Sequence, residues 1–146
     1  MIKFSKILPF LGHGDKLLNL LGHPYFISRY QLRRALLNIN FKFIPHDILD
    51  VGCGSMPYRD LFPSSSCYEG LEIDQPRNRS NPLVSHFYNG TDFPLSDNSF
   101  DVVLCSQVLE HCFTPDSLLS EISRVLRPGG YLILTIPFFW PEHEQP

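Results

Sequence analysis

The residues with the clearest chemical promise are Asp50-Val51-Gly52-Cys53-Gly54-Ser55. An acid and two glycines spaced by one residue close the run Ile48-Leu49-Asp50-Val51, which has the length of a buried strand. The glycines permit a tight turn and let a ligand approach the backbone closely. A carboxylate beside them repels phosphate and suits a cationic or amine-bearing ligand. Two nucleotide-binding readings fail at definite positions. A dinucleotide turn needs a third glycine at position 57, where Pro57 stands, and a Walker loop needs Gly-Lys-Ser/Thr, which the sequence lacks. His111, after Glu110, is the candidate general base, against the plainer reading of a helix cap or local hydrogen bond. His143 and Glu142 could contact an acceptor, and Phe138, Phe139 and Trp140 could line its pocket. His13, His23, His46 and His86 read as solvated or core residues. Tyr25, Phe26 and Tyr30 read as core packing before they read as a lid.

The elements that must position these groups are legible in outline. Residues 48–51, 67–73, 83–87, 100–105 and 131–136 read as strands. Residues 27–39 read as an amphipathic helix with Ile27, Tyr30, Ala35, Leu36 and Ile39 on one face and Arg29 and Arg33 pointing away. Residues 57–62 read as a short helix with Ser55 as its N-cap. The spacing predicts a further helix over 115–126, opened by Pro115, with Leu118, Leu119, Ile122, Val125 and Leu126 on one face, and stopped by residues 127–130. Residues 96–99 read as a turn. This alternation argues for an α/β fold with a mostly parallel sheet and helices on both faces. One link resists: residues 74–82, with two prolines, are short for a parallel crossover, which normally takes a dozen residues or more. Either the third strand is short and reached by an extended loop, or that strand is misassigned.

Four blocks in order, ILDVGCGS, YEGLEID, DFPLSDNSFDVVLCSQVLEH and ISRVLRPGGYLILTIP, resemble the class I S-adenosylmethionine-dependent methyltransferases, most closely the broad type 11 group, over about residues 46–140. The resemblance implies a doubly wound, Rossmann-like sheet with strand order 3-2-1-4-5, normally completed by two further strands. It implies that Gly52, Cys53 and Gly54 line the methionine part of S-adenosylmethionine and that Asp50 reaches its amino group. Glu72, with Ile73 beside it, takes the ribose, with Asp74 in reserve. Asn89 and Gly90 meet the adenine, although the family often has Asp at the first of these. Ser106 and Gln107 add backbone contacts. On this reading Gly52→Val fills space the ligand needs. The third glycine of the family motif is replaced by Met56. Relative to the family the last two strands are not found, so the fifth is expected to present an apolar edge, and either the chain is a fragment or truncated product or another chain, such as a second copy, covers that edge. The expected activity is methyl transfer to a small-molecule or glycan-type acceptor; the alternatives are a non-catalytic cofactor- or partner-binding module, and a nicotinamide-dependent reductase, which Pro57 disfavours. The ending IPFFWPEHEQP resembles members associated with cell-envelope sugars.

Composition bounds the rest. At 146 residues, 43% hydrophobic and 18% charged, the chain has room for one domain and no more and is not a disordered tail. Residues 1–45 read as a basic N-terminal arm with an amphipathic helix, and residues 46–146 as the binding domain. Residues 1–42 carry net +6 and the remainder net −9, for −3 overall. That balance gives no reason to expect nucleic acid, but the arm could meet a phosphate-bearing substrate or make weak contact with an anionic membrane surface. Cys53, Cys67, Cys105 and Cys112 have no metal-ligand spacing, so a reduced, cytoplasmic protein without a metal is expected. Pro9, Gly12 and Gly14 interrupt the only early apolar patch, which argues against a secretory signal.

Overall fold

The strands are apolar runs because the central ones are covered on both faces. In a computed structural model, which describes residues 26–39, 41, 43–64 and 66–137, the chain forms two compact units, Met1–Lys42 and Phe43–Pro146. The second unit holds strands β1 (Asp47–Val51), β2 (Cys67–Ile73), β3 (Val84–Tyr88), β4 (Phe100–Ser106) and β5 (Leu126–Thr135). They form one sheet in the order β3-β2-β1-β4-β5, with every neighbouring pair parallel. β1 and β4 lie at its centre, and Ile48, Leu49, Val51 and Val102 through Cys105 have no exposed surface.

Helix α3 (Pro115–Val125), which follows α1 (Phe26–Leu37) and α2 (Pro76–Arg79) along the chain, covers one face. Pro115 opens it, Asp116 lies in its first turn and Arg124 in its last, as the macrodipole favours. Leu118, Ile122 and Val125 are buried in a cluster with Leu49, Val51, Leu71, Val103 and Cys105. Burying a side chain of this size contributes roughly 1.5–3 kcal/mol. Glu121 and Arg124, on the same helix, hold the connection into β4. Glu121 accepts the Phe93 N–H at 2.7 Å, and Arg124 donates to the carbonyls of Phe93 and Leu95 and to Asp97. The helix ends at Val125, and β5 begins at Leu126, five residues before the strand read at 131. The helix has already ended when the chain reaches residues 127–130, which lie inside β5 as a register irregularity between the Phe100 and Val102 pairings. Arg127 there bridges Asp47 Oδ2 and Asp101 Oδ1, each at 2.7 Å.

The short link is resolved in favour of a short third strand. β3 is parallel to β2 and is reached through residues 74–83, whose only helical part is the single turn α2 (Pro76–Arg79). The helix expected over 57–62 is reduced to a 3₁₀ turn, Arg59–Leu61. Tyr58 stands at its N-cap position, so Ser55 does not cap it. Met56 lies just before this turn at φ +52°, a conformation that does not lead into an α-helix.

In the first unit, α1 spans Phe26–Leu37. Leu36 is buried, but Ala35 is exposed and Arg33 half-buried, so the apolar stripe read from the sequence is only partly the covered one. The readings made for His13, His23, Tyr25, Phe138, Phe139, Trp140, Glu142 and His143 lie outside the described residues, as does most of the basic arm. Among the described residues no helix is long and apolar enough to cross a membrane, and no cluster of His, Cys, Asp and Glu has the arrangement of a metal site.

Candidate active site

The sheet's connectivity reverses direction at β1, between β2 and β4. In open parallel sheets the crevice beyond the carboxyl ends at such a point is where ligands bind. Asp50, Gly52 and Gly54, Glu72, and Ser106 and Gln107 all lie at these strand ends.

Gly52 turns the chain immediately after β1 at φ +68°, and its N–H donates to the Leu71 carbonyl at 2.8 Å. A Cβ on Gly52 would collide with Cγ2 of Val108, in the segment after β4. The space beside Gly52 is therefore held by the protein's own side chain. Gly54 differs: at φ +48°, a Cβ there would meet nothing within 4 Å. Its N–H donates to Glu72 Oε1 at 2.9 Å. Gly70 was not singled out from sequence, yet it is needed for the turn to lie across β2. A Cβ there would stand 2.5 Å from Cys53 Sγ and 2.6 Å from Met56 Cε. An isolated glycine inside a strand pattern is the signal that could have found it.

Asp50 is 3% exposed, and Tyr68 on β2 donates its hydroxyl to Asp50 Oδ2 at 2.7 Å. Among the described residues Oδ1 has no hydrogen-bond partner. Burial pushes this carboxyl up to about 7; the Tyr68 bond offsets part of the rise and the charge of Glu72 adds to it. The Tyr68 ring packs tilted against Phe62 at 5.6 Å between centroids, with the Arg59 guanidinium 5.2 Å over its ring. Sequence reading missed Tyr68, because its partner lies 18 residues away on a neighbouring strand.

The remaining candidates fall in different places. Cys53 is buried, and its thiol is pushed up to about 12, by burial first and then by the charges of Asp50 and Glu72, so it offers the site its backbone rather than a thiolate. Glu72 is half-buried, with Oε2 accepting from Asn78 Nδ2 at 3.3 Å. Asp74 is exposed and tied to Arg79 through bonds of 2.6 and 2.8 Å, so of the two acids only Glu72 reaches the glycine turn. Ile73 packs against the core cluster. Asn89 spends its Oδ1 on its own turn, accepting from the N–H groups of Thr91 and Asp92, and Gly90 follows it. Ser106 Oγ and Thr135 Oγ1 lie 2.9 Å apart. Gln107 has φ +58° and donates its N–H to the Thr135 carbonyl, a strained residue where the crevice is expected. His111 is exposed at the end of the 3₁₀ turn Leu109–His111 that follows.

The donor set fits an amine-bearing nucleoside. A buried carboxylate oxygen lacks a partner among the described residues, a glycine opens onto empty space, and a second carboxylate stands at the end of the adjacent strand. Such a sheet with such a crevice defines the class of doubly wound, ligand-binding α/β domains. The family profile described as "Methyltransferase domain" matches residues 49–134, more than half of the chain, and the chain belongs to that family. It is 46% identical over 107 residues to a thiol S-methyltransferase of Mus musculus, covering 73% of this chain and 39% of the relative. It is 35% identical over 137 residues to a fatty-acid O-methyltransferase of Mycolicibacterium smegmatis, covering 86% and 46%. The chain thus spans less than half the length of these curated relatives. The fold is shared with the crystal structure of a SAM-dependent methyltransferase from Aquifex aeolicus. The TM-score is 0.60 at 18% identity, over 97% of this chain and 79% of that one.

Proposed function

We propose that the unit Phe43–Pro146 binds S-adenosylmethionine in the crevice beyond β1, β2 and β4, and that the protein transfers its methyl group to a small-molecule acceptor. The observation that carries this reading is the buried Asp50 carboxylate at the end of β1, with one oxygen bound by Tyr68 and the other without a partner among the described residues, four residues before Gly54, where a Cβ would meet nothing within 4 Å. When bound, the cofactor's sulfonium supplies an activated methyl group.

The chain's own residues have the following work. Asp50 Oδ1 accepts from the amino group of the methionine part, and the Gly52–Gly54 backbone borders it. Glu72, already oriented by the Gly54 N–H and Asn78, accepts from the ribose hydroxyls. Ile73, Asn89 and Gly90 border the base, and Ser106 and Gln107 close the methionine side. His111 would take the proton from a hydroxyl or thiol acceptor; a carboxylic acid acceptor is already ionised at neutral pH and needs no base. Alignment and exclusion of water supply most of the remaining acceleration. A thiol or a carboxylic acid is favoured as acceptor because the two curated relatives above are named for those substrates. A glycan-type acceptor is the second arm of the test.

Calorimetric titration with S-adenosylhomocysteine comes first, followed by transfer of a labelled methyl group to a panel of thiols, fatty acids and glycolipids. Saturable binding and labelling of one acceptor class are expected. Folded protein that binds neither the cofactor nor its product would overturn the reading. His111→Ala should slow transfer while leaving product affinity within about twofold; equal loss of both would remove it as the base.

A further inference from the structure

We propose that Tyr68 is a positioning residue for this site: by donating its hydroxyl to Asp50 Oδ2, it fixes the carboxylate with Oδ1 as the acceptor for a ligand ammonium. The inference rests on the cofactor reading above and goes beyond it by giving a role to Tyr68, the first residue of the YEGLEID block, to which the resemblance assigns none. The ring alone does not explain a tyrosine. Its packing between Phe62 and Arg59 would be served as well by phenylalanine. The hydroxyl is the distinguishing part, and it is committed to Asp50 at 2.7 Å. Nor does satisfying a buried acid explain the pair, because a purely structural arrangement would satisfy both oxygens, and Oδ1 is left without a partner among the described residues.

Arg59 is itself fastened. It donates to the carbonyls of Pro63 and Ser66, so the ring lies beneath an anchored cation. The titratable groups coupled to Asp50 are Tyr68 and Glu72 on β2, Cys53 in the glycine turn and Cys105 on β4. Of these, Tyr68 favours the ionised carboxylate through its hydrogen bond, and Glu72 opposes it. A ligand ammonium at Oδ1 draws Asp50 into its ionised form and expels a proton. Tyr68 lowers the pH at which this happens.

The test is titration with S-adenosylhomocysteine between pH 5.5 and 8.5, in two buffers of different ionisation heat, for the wild type and Tyr68→Phe. Wild-type affinity should rise through about pH 7 with release of up to one proton. In Tyr68→Phe the midpoint should move up by about one unit, giving an affinity about fivefold weaker at pH 7 and approaching tenfold weaker at pH 5.5, with most of the loss recovered by pH 8.5. Unchanged affinity and midpoint would overturn the proposal, as would a loss of the same factor at every pH, which marks a merely structural residue. No binding by the wild type would instead bring down the cofactor reading, and this proposal with it. Should Tyr68→Phe fail to fold, the Tyr68 ring-carbon resonance of wild-type protein must follow the Asp50 midpoint and shift on adding the ligand; a resonance indifferent to both would overturn the proposal.

Discussion

Asp101 and Asp50 sit on adjacent central strands at opposite ends of the sheet, and they are treated in opposite ways. At the amino end, Asp101 accepts from Arg127 and from the N–H groups of His46 and Asp47. Burial pushes its carboxyl up, but Arg127 and the two backbone bonds outweigh that and hold it below the ordinary carboxylate range. At the carboxyl end, Asp50 is more deeply buried, has one partner, and is pushed up to about 7. One end spends its charges on holding β1, β4 and β5 together. The other leaves one carboxylate oxygen without a partner among the described residues, which costs stability and fits the amine-binding site proposed above.

The largest effect that could break this contrast is in the pH dependence of stability. The Asp50 carboxyl moves from 3.8 to about 7 on folding, so the folded state holds its proton more tightly. Its contribution is full below about pH 4 and is lost as the pH rises through 7, by as much as ~4 kcal/mol. Urea denaturation of the wild type and Asp50→Asn at pH 4.5 and 8 should show the variant gaining relative stability as the pH rises. Parallel profiles would mean that Asp50 is not held as described.

Next in size, Gly52→Val should cost about 3 kcal/mol, combining overpacking against Val108 with a positive φ that a β-branched residue resists. Val108→Ala should restore part of that loss. If it restores nothing, the collision lies elsewhere. Asp101→Ala should cost about 2 kcal/mol, since three bonds go and two backbone N–H groups lose their partner. In the wild type that contribution has the opposite sign to Asp50's: it is present above the ordinary carboxylate pKa and lost as the pH falls through the lowered one. Glu72→Ala should weaken S-adenosylhomocysteine binding by about 1–2 kcal/mol, read by calorimetry. The smallest change is Gly54→Ala, which should cost no more than about 1 kcal/mol of stability while reducing ligand affinity. Unchanged affinity in that variant would show that the open side of Gly54 does not face the ligand.

The strands were legible because buried parallel strands must be continuous apolar runs, and 67–73 is read with the bounds the structure gives it. The start of β5 was not, because Arg-Pro-Gly-Gly reads as a stop signal. Only the proximity of Arg127 to Asp47 and Asp101 shows that the chain rejoins β4 at once. The missing cap at Ser55 follows from Met56 adopting a left-handed conformation, for which a methionine gives no warning.

The sequence by itself determined the alternation of elements, the strand order through its resemblance, and the acid-glycine turn, because these depend on local composition and spacing. The tertiary structure decided which glycine faces the protein and which faces open space, that Glu72 rather than Asp74 reaches the turn, and that Tyr68 holds Asp50. The physical reason is distance along the chain: each is a contact between strand ends or turns brought side by side only when the sheet closes its register.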